Sequence, residues 1–330
     1  MDTTPLEGCV PLVRTPRIWR GFGLAGGSTS WVKACALAAL LCTLHRVTSE
    51  AELRRAPLAD GDVVILYDRR RRRYRVLLAA GALFETHLGY VPHDELLGRL
   101  EGFSVLTNKG HRMLVLRPTF AEGVLDLPRQ SQVIYPKDLG AVLMHADLYP
   151  GARVVEVGLG SGAAAAAVLR AIGPSGALTS YEVREEIVEP ARRNVAELAP
   201  GAANHTIVVA DAYEGIAERD IDRVLVDIPE PWRLLDGLAE ALRLGGVVLS
   251  YLPTVLQVHQ LTLALNLDTR WRLVQTVELW ERPWHVTDKS VRPEHRMVAH
   301  TGFITTARRC EPLPTVEDRT GAADEESADT

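Results

Sequence analysis

The sequence predicts an α/β fold of the Rossmann-like, doubly wound kind, and three observations carry that expectation. The apolar run Val154-Val155-Glu156-Val157 leads straight into Gly158-Leu159-Gly160-Ser161-Gly162 and then into an alanine-rich helix. Further apolar strands alternate with helical segments as far as residue 251. Three of those strands end in an acid: Glu182, Asp211, and Asp227, which is followed by Pro229, Pro231 and Trp232. A strand, a glycine turn, a helix and a second strand ending in an acid together grip a nucleotide-shaped ligand at the edge of an α/β sheet. The chain therefore reads as an enzyme that uses a nucleoside cofactor.

The elements can be placed in order. A helix is expected at 142–148, ahead of Pro150-Gly151. A strand at 153–157, a crossover helix at 162–172, a strand at 177–181 and a helix at 185–197 follow. Strands come next at 206–210 and 223–227, then a helix at 233–243 ended by Gly245-Gly246, and a strand at 247–251. Two late apolar runs, 271–280 and 296–306, are expected to complete the sheet as an antiparallel pair. Upstream, Val63 to Tyr67 and Tyr74 to Leu78 read as two strands with the run Arg69 to Arg73 at their hairpin tip.

The glycines let the backbone turn sharply and leave no Cβ between chain and ligand. Gly158-x-Gly160-x-x-Ala163 also satisfies the dinucleotide pattern, so the glycines alone leave NAD open. The acids shift the balance. Glu156 inside the strand, with Glu182 and Asp211, suits a cationic ligand better than a pyrophosphate. They are what an S-adenosylmethionine site shows: Glu182 on the ribose hydroxyls, Asp211 on the adenine amine, and acidic surroundings for the sulfonium. The competing reading makes each a solvated strand-end acid. Asp227 falls in the crevice outside the strand ends, and the stiff loop after it places Trp232 beside a carboxylate, a pairing suited to stacking and hydrogen-bonding a nucleobase. The plain alternative for Asp227 is a turn former or helix cap.

From Asp60 to about Arg309 the chain resembles the tRNA (adenine-58-N1)-methyltransferases. The segments that carry the resemblance include Thr86-His87-Leu88-Gly89, Leu116-Arg117-Pro118, and Gln132-Val133-Ile134-Tyr135-Pro136-Lys137-Asp138. The glycine turn, Asp227 to Trp232, Tyr251 to Gln257, and Arg292-Pro293-Glu294-His295-Arg296 continue the set. The resemblance implies a Rossmann-like class I methyltransferase domain behind a small β-rich N-terminal domain, S-adenosylmethionine as methyl donor, tRNA as substrate, and homotetramers. It puts Gln132, Gly158, Gly160, Ser161, Gly162, Ala163, Glu182, Ile187 and Asp211 on the cofactor side and Asp227 in the catalytic role. One departure stands out: Gly123 occupies the position where the family places a tyrosine against the target adenine. Gln130-Ser131 and Ile187 also differ from the usual residues. The departures leave two alternatives open: a relative that methylates a small molecule or peptide, and a non-catalytic RNA-binding subunit.

Composition agrees with a globular enzyme. The chain has 330 residues, enough for two cores, with 47% hydrophobic and 24% charged residues. The domain division reads as an extension over 1–57, a β-rich domain over 58–125, a catalytic domain over 126–310, and an acidic, disordered tail over 311–330. A formal net charge of -5 argues against a uniformly basic nucleic-acid binder but leaves room for a local basic patch. Arg71 and Arg72 at the hairpin tip are the candidate RNA contacts, through phosphates; a merely solvated turn is the other reading. Four cysteines without metal spacing argue against zinc or a disulfide framework and fit a reducing cytoplasm. The apolar stretch from Trp31 to Leu44 is interrupted by Lys33 and is shorter than the ~20 residues a membrane helix needs.

Overall fold

The structure, a computed structural model, describes residues 50–128 and 132–312. The apolar stretch near residues 31–44, Gln130-Ser131, and the acidic tail beyond residue 312 lie outside the described residues. After a short helix α1 (Glu50–Arg55), strands β1 (Val63–Tyr67) and β2 (Arg73–Leu77) form the expected hairpin. A second hairpin, β3 (Leu83–Thr86) and β4 (Gly89–Pro92), precedes β5 (Phe103–Leu106) and β6 (Arg112–Leu116). The four-stranded sheet runs β2-β1-β6-β5, and its antiparallel alternation buries Val64, Leu66, Val76, Val105, Met113 and Val115 on one face.

Part of the other face meets helices. The Tyr67 hydroxyl donates to Glu122, Arg73 pairs with Asp126 at 2.8 Å, and Arg75 pairs with Glu197 at 2.7 Å. Glu122 and Asp126 belong to α2 (Phe120–Asp126), which starts in a reciprocal capping box between Thr119 and Glu122. Helix α3 (Pro136–His145) follows. It begins well before the expected 142–148, because Tyr135 is extended and Pro136 presets the first-turn φ.

The large sheet has seven strands. Its elements are β7 (Arg153–Val157), α4 (Ala163–Ile172), β8 (Ala177–Glu182), α5 (Glu185–Leu198), β9 (His205–Val209) and β10 (Ile221–Val226). After α6 (Leu235–Ala241) come β11 (Leu242–Leu252), α7 (Val255–Leu267) and β12 (Trp271–Glu278). A small hairpin, β13 (Trp284–Val286) with β14 (Val291–Pro293), precedes the last strand, β15 (Phe303–Arg309). The order is β12-β15-β11-β10-β7-β8-β9; β11 to β9 are parallel and the β15 and β12 pairings are antiparallel. Strands β7 and β10 lie side by side where the winding changes direction, and ligands bind at the carboxyl ends of such strands.

Two expectations shift here. The helix at 233–243 divides into a 3₁₀ turn, Pro231–Leu234, and α6, and Leu242 to Gly246 extend β11 instead of ending a helix. The second late strand starts at Phe303 instead of 296; ahead of it Val298 pairs only in an isolated bridge with Glu281.

Gly123 is the main correction. It is buried inside α2, and a Cβ there would stand 2.7 Å from Leu198 Cδ2, at the last turn of α5. Because α5 runs back from the carboxyl end of β8, its last turn lies at the opposite edge of the sheet from the crevice. The glycine is a helix-packing position and leaves no room for a base-facing ring. Gly123→Tyr should therefore overpack the α2/α5 contact at a cost of about 1–3 kcal/mol and bring no gain in methyl transfer. Thermal melting and an activity assay check this, and a more active Gly123→Tyr variant would contradict it.

Candidate active site at the carboxyl edge of the sheet

The glycine turn is built by close approach. Gly158, Gly160 and Gly162 all have positive φ, at 96°, 52° and 81°. A Cβ on Gly158 would lie 2.4 Å from the Asp227 carbonyl oxygen, and one on Gly162 would lie 2.9 Å from the Ala191 carbonyl oxygen. The Gly158 amide donates to Tyr181 O and the Asp227 amide to Val157 O, both at 2.9 Å, so the ends of β8, β7 and β10 are tied around one point. Ala163 opens α4, and its amide meets Ser161 Oγ at 3.4 Å. Asn194 donates to the Ser161 carbonyl at 3.0 Å, and Ile187 forms an apolar wall beside Gly160 and Ser161.

The acids converge on this turn. Glu182 is buried at the end of β8, where its carboxylate accepts from Gly160 N at 3.2 Å and Arg184 N at 3.0 Å. Burial, reinforced by the charges of Asp227 and Glu182, pushes the Glu156 carboxyl up to about 8. Asp227 is reachable from the crevice, yet the chain packed around its carboxyl desolvates it and pushes its pKa up to about 6. Carboxyl groups gathered in a poorly solvated crevice make a place where a cation is welcome. Ser180 Oγ donates to Glu156 at 2.5 Å and stands 2.8 Å from His205 Nε2, whose pKa desolvation and Arg192 lower to about 4.

The remaining candidates divide. Asp211 sits at the end of β9 and caps the following 3₁₀ turn through Tyr213 N at 2.9 Å. Trp232 is half-buried and packs on the core cluster beneath β10 and β11, so much of its ring is used by the protein itself. The loop carrying Asp227 and Trp232 is held by Gln257, which donates to Pro229 O at 3.0 Å. Gln132 is exposed and makes no hydrogen bond among the described residues. Arg71 projects from the hairpin turn with φ 61°, and Arg72 is held by Asp68 at 2.5 Å. His285 meets Glu294 at 3.4 Å, whereas His300 bridges Glu278 and Pro253 O.

One group of residues was invisible as a group. Lys137 and Asp138 pair at 2.7 Å at the start of α3, and both side chains are buried. Lys137 Nζ also donates to Leu279 O at 2.7 Å and to Thr301 Oγ1 at 2.6 Å. Asp138 accepts from Thr301 at 2.5 Å and from Tyr251 at 3.2 Å. Burial raises the Tyr251 hydroxyl well above its ordinary pKa. Gly302 lets the chain pass flat over the Tyr251 ring, where a Cβ would come within 2.4 Å. Only the Tyr-Pro-Lys-Asp run hinted at this brace between α3, β11 and the strand β15 approach.

The family model described as tRNA methyltransferase complex GCD14 subunit matches residues 112–301, and a TrmI-like N-terminal model matches 57–105. The tRNA (adenine(58)-N(1))-methyltransferase TrmI of Thermus thermophilus is 35% identical over 74% of this chain and 96% of its own length. The chain belongs to the TrmI family of tRNA (adenine-58-N1)-methyltransferases. A TrmI of Methanocaldococcus jannaschii, described as acting on adenine 57 and adenine 58, is 31% identical over 77% of this chain and 98% of its own length. Among solved structures, a SAM-dependent O-methyltransferase from Thermotoga maritima superposes with a TM-score of 0.75 at 31% identity, covering 79% of this chain and 97% of that one. The tRNA (m1A58) methyltransferase TrmI of Aquifex aeolicus follows at 0.69 and 26% identity, covering 77% and 99%. As in that family, a class I methyltransferase sheet here stands behind a separate antiparallel β-rich region. Among the described residues no helix is long and apolar enough to cross a membrane, and no group of His, Cys, Asp and Glu is arranged to hold a metal.

Two measurements test this architecture. Asp138→Ala leaves the buried Lys137 cation unpaired and should cost about 3–5 kcal/mol in urea unfolding; a loss within error of zero would refute the brace. Glu156 keeps its proton in the folded state up to about pH 8, against 4.5 for an ordinary carboxyl. Its contribution therefore makes stability fall as pH rises across that interval, and Glu156→Gln removes that share of the slope. Identical pH profiles of stability for the two proteins would rule this out.

Proposed function

We propose that the chain transfers a methyl group from S-adenosylmethionine to N1 of adenine 58 in the T-loop of tRNA. The observation that supports this best is the meeting of the glycine turn with Asp227 at the switch point of the sheet, where a cation-favouring crevice adjoins a carboxylate. Gly158, Gly160, Ser161, Gly162 and Ala163 would let the donor lie against the backbone, Glu182 would take its ribose hydroxyls and Asp211 its adenine amine. Ile187 would pack on the adenosine, and Gln132 would close over it. The donor supplies an electrophilic methyl carbon on a sulfonium. The protein's task is to align the acceptor nitrogen with that carbon and exclude water, with no covalent enzyme intermediate.

Asp227 accepts a hydrogen bond from the exocyclic amine of adenine and stabilises the positive charge that grows on the base as N1 becomes alkylated. Trp232 contributes an edge of its ring to the base, and of the two hairpin-tip candidates Arg71 meets tRNA phosphates while Arg72 holds the turn through Asp68. The domains act as a β-rich docking part over 58–125 and a catalytic part over 126–310, working in the cytoplasm. A homo-oligomer, with a tetramer as the family arrangement, is supported by the apolar side chains that the segment around β13 and β14 exposes: Trp280, Trp284, Val286 and Val291. A relative that methylates a small molecule or peptide is the alternative suggested by Gly123, Gln130-Ser131 and Ile187, and the place of Gly123 in α2 takes away one of these grounds.

The deciding experiment incubates the protein with labelled S-adenosylmethionine and unmodified tRNA, digests the product and separates the nucleosides. Label in 1-methyladenosine is expected; label in ribose-methylated nucleosides, or cofactor binding with no RNA label, sinks the proposal. Asp227→Ala should lower kcat by about 10²- to 10³-fold with little change in cofactor affinity. Because only the ionised carboxylate carries the negative charge that stabilises the cation growing on the base, the parent's rate should rise with pH through about 6 and then level. A rate independent of pH across that range would remove Asp227 from the role.

A further inference from the structure

We propose that the groove between the Asp68 to Arg72 turn and the outer face of β5 and β6 is a second RNA contact, a site for backbone phosphates on the β-rich domain. The inference rests on the tRNA reading above and adds to it a surface outside the catalytic crevice. The groove is lined by Arg69, Arg70, His87, His111 and Arg112, with Ser104 and Leu114 on its floor. Strand alternation explains the floor: Met113 and Val115 point into the domain core, so Arg112 and Leu114 stand on the outer face, with Leu114 opposite Ser104.

What marks the groove is how its charges are used. Arg72, Arg73, Arg75 and Arg117 of the same domain are each committed to a carboxylate. Arg69, Arg70 and Arg112 make no ion pair and no side-chain hydrogen bond among the described residues. The one carboxylate in the lining, Asp68, is buried and spent: it accepts from Arg70 N at 2.8 Å, from Arg72 N at 2.9 Å and from the Arg72 side chain at 2.5 Å. Those bonds fix the turn that carries Arg69 and Arg70, so little ordering is left to be done on binding. Three uncompensated guanidinium groups and two imidazoles therefore face one groove in a chain whose formal net charge is -5. A surface that concentrates unpaired arginines against the sign of the whole molecule is suited to a polyanion, and guanidinium groups match phosphate oxygens two at a time.

The test compares the full-length parent with the triple variant Arg69→Ala, Arg70→Ala, Arg112→Ala, which leaves the Asp68 to Arg72 bonds in place. Fluorescence anisotropy with an unmodified tRNA transcript is measured over a series of salt concentrations, with cofactor affinity and melting temperature as controls. The expected result is binding weakened by about tenfold or more at low salt and a salt slope reduced by about 2 to 3, close to one for each phosphate no longer neutralised, with both controls unchanged. The same tRNA affinity and the same slope in the variant would overturn the groove. Polyglutamate bound through these arginines as tightly as tRNA would also overturn it, by making the groove a site for an acidic protein. A parent that methylates tRNA while the variant binds normally fails the groove alone. A parent that binds tRNA through the groove yet forms no 1-methyladenosine fails the catalytic reading alone, and a parent that binds no tRNA fails both.

Discussion

The contact between Gly158 and the Asp227 backbone is the constraint on which the site depends. With the Asp227 carbonyl oxygen 2.4 Å from where a Cβ would be, any side chain at 158 would push β7 and β10 apart at their carboxyl ends. Backbone strain would be added, because φ there is 96°. The same two strands are tied by the Asp227 amide to Val157 O. One small residue thus sets how near the Asp227 carboxylate stands to the glycine turn. The placement of Glu182, whose carboxylate reaches Gly160 N, follows from the same junction.

The electrostatics of the crevice follow from that geometry. Glu156, Glu182 and Asp227 are brought together by three adjacent strand ends, and burial, together with the charges of the other two acids, raises the Glu156 carboxyl far above its ordinary range. Such an arrangement costs stability in the free protein, and a bound cation relieves it. Across the site, the buried Lys137 and Asp138 pair joins α3 to Tyr251 and Thr301. The acidic crevice and this brace share the carboxyl edge of the sheet but use charge in opposite ways, one left open for a ligand and the other closed on itself.

The β-rich domain shows the same economy with arginine. Four of its guanidinium groups, on Arg72, Arg73, Arg75 and Arg117, are spent on carboxylates that hold the domain to α2 and α5 or close its turns. Three that make no ion pair among the described residues, Arg69, Arg70 and Arg112, line one groove, and that unspent charge is what suits the groove to a polyanion.

Much of the fold was legible in the chain. The strands at 153–157, 177–182 and 205–209 and the helices at 163–172 and 185–198 lie where periodicity and glycine place them, because each is decided by neighbours a few residues away. The glycine turn, Glu182 and Asp227 were legible for the same reason: their chemistry is local to a strand end. Position 123 was not, since nothing in Glu122-Gly123-Val124 tells that Leu198 lies across from it. Nor could Lys137 and Asp138 be linked to Tyr251 and Thr301, or Glu156 to His205 through Ser180, from spacing alone. The sequence by itself determined the class of fold, the family, and the glycine turn with its strand-end acids. The tertiary structure decided which buried charges are paired, which arginines are free, and what a glycine is for, because each of these depends on distances between residues far apart in the chain.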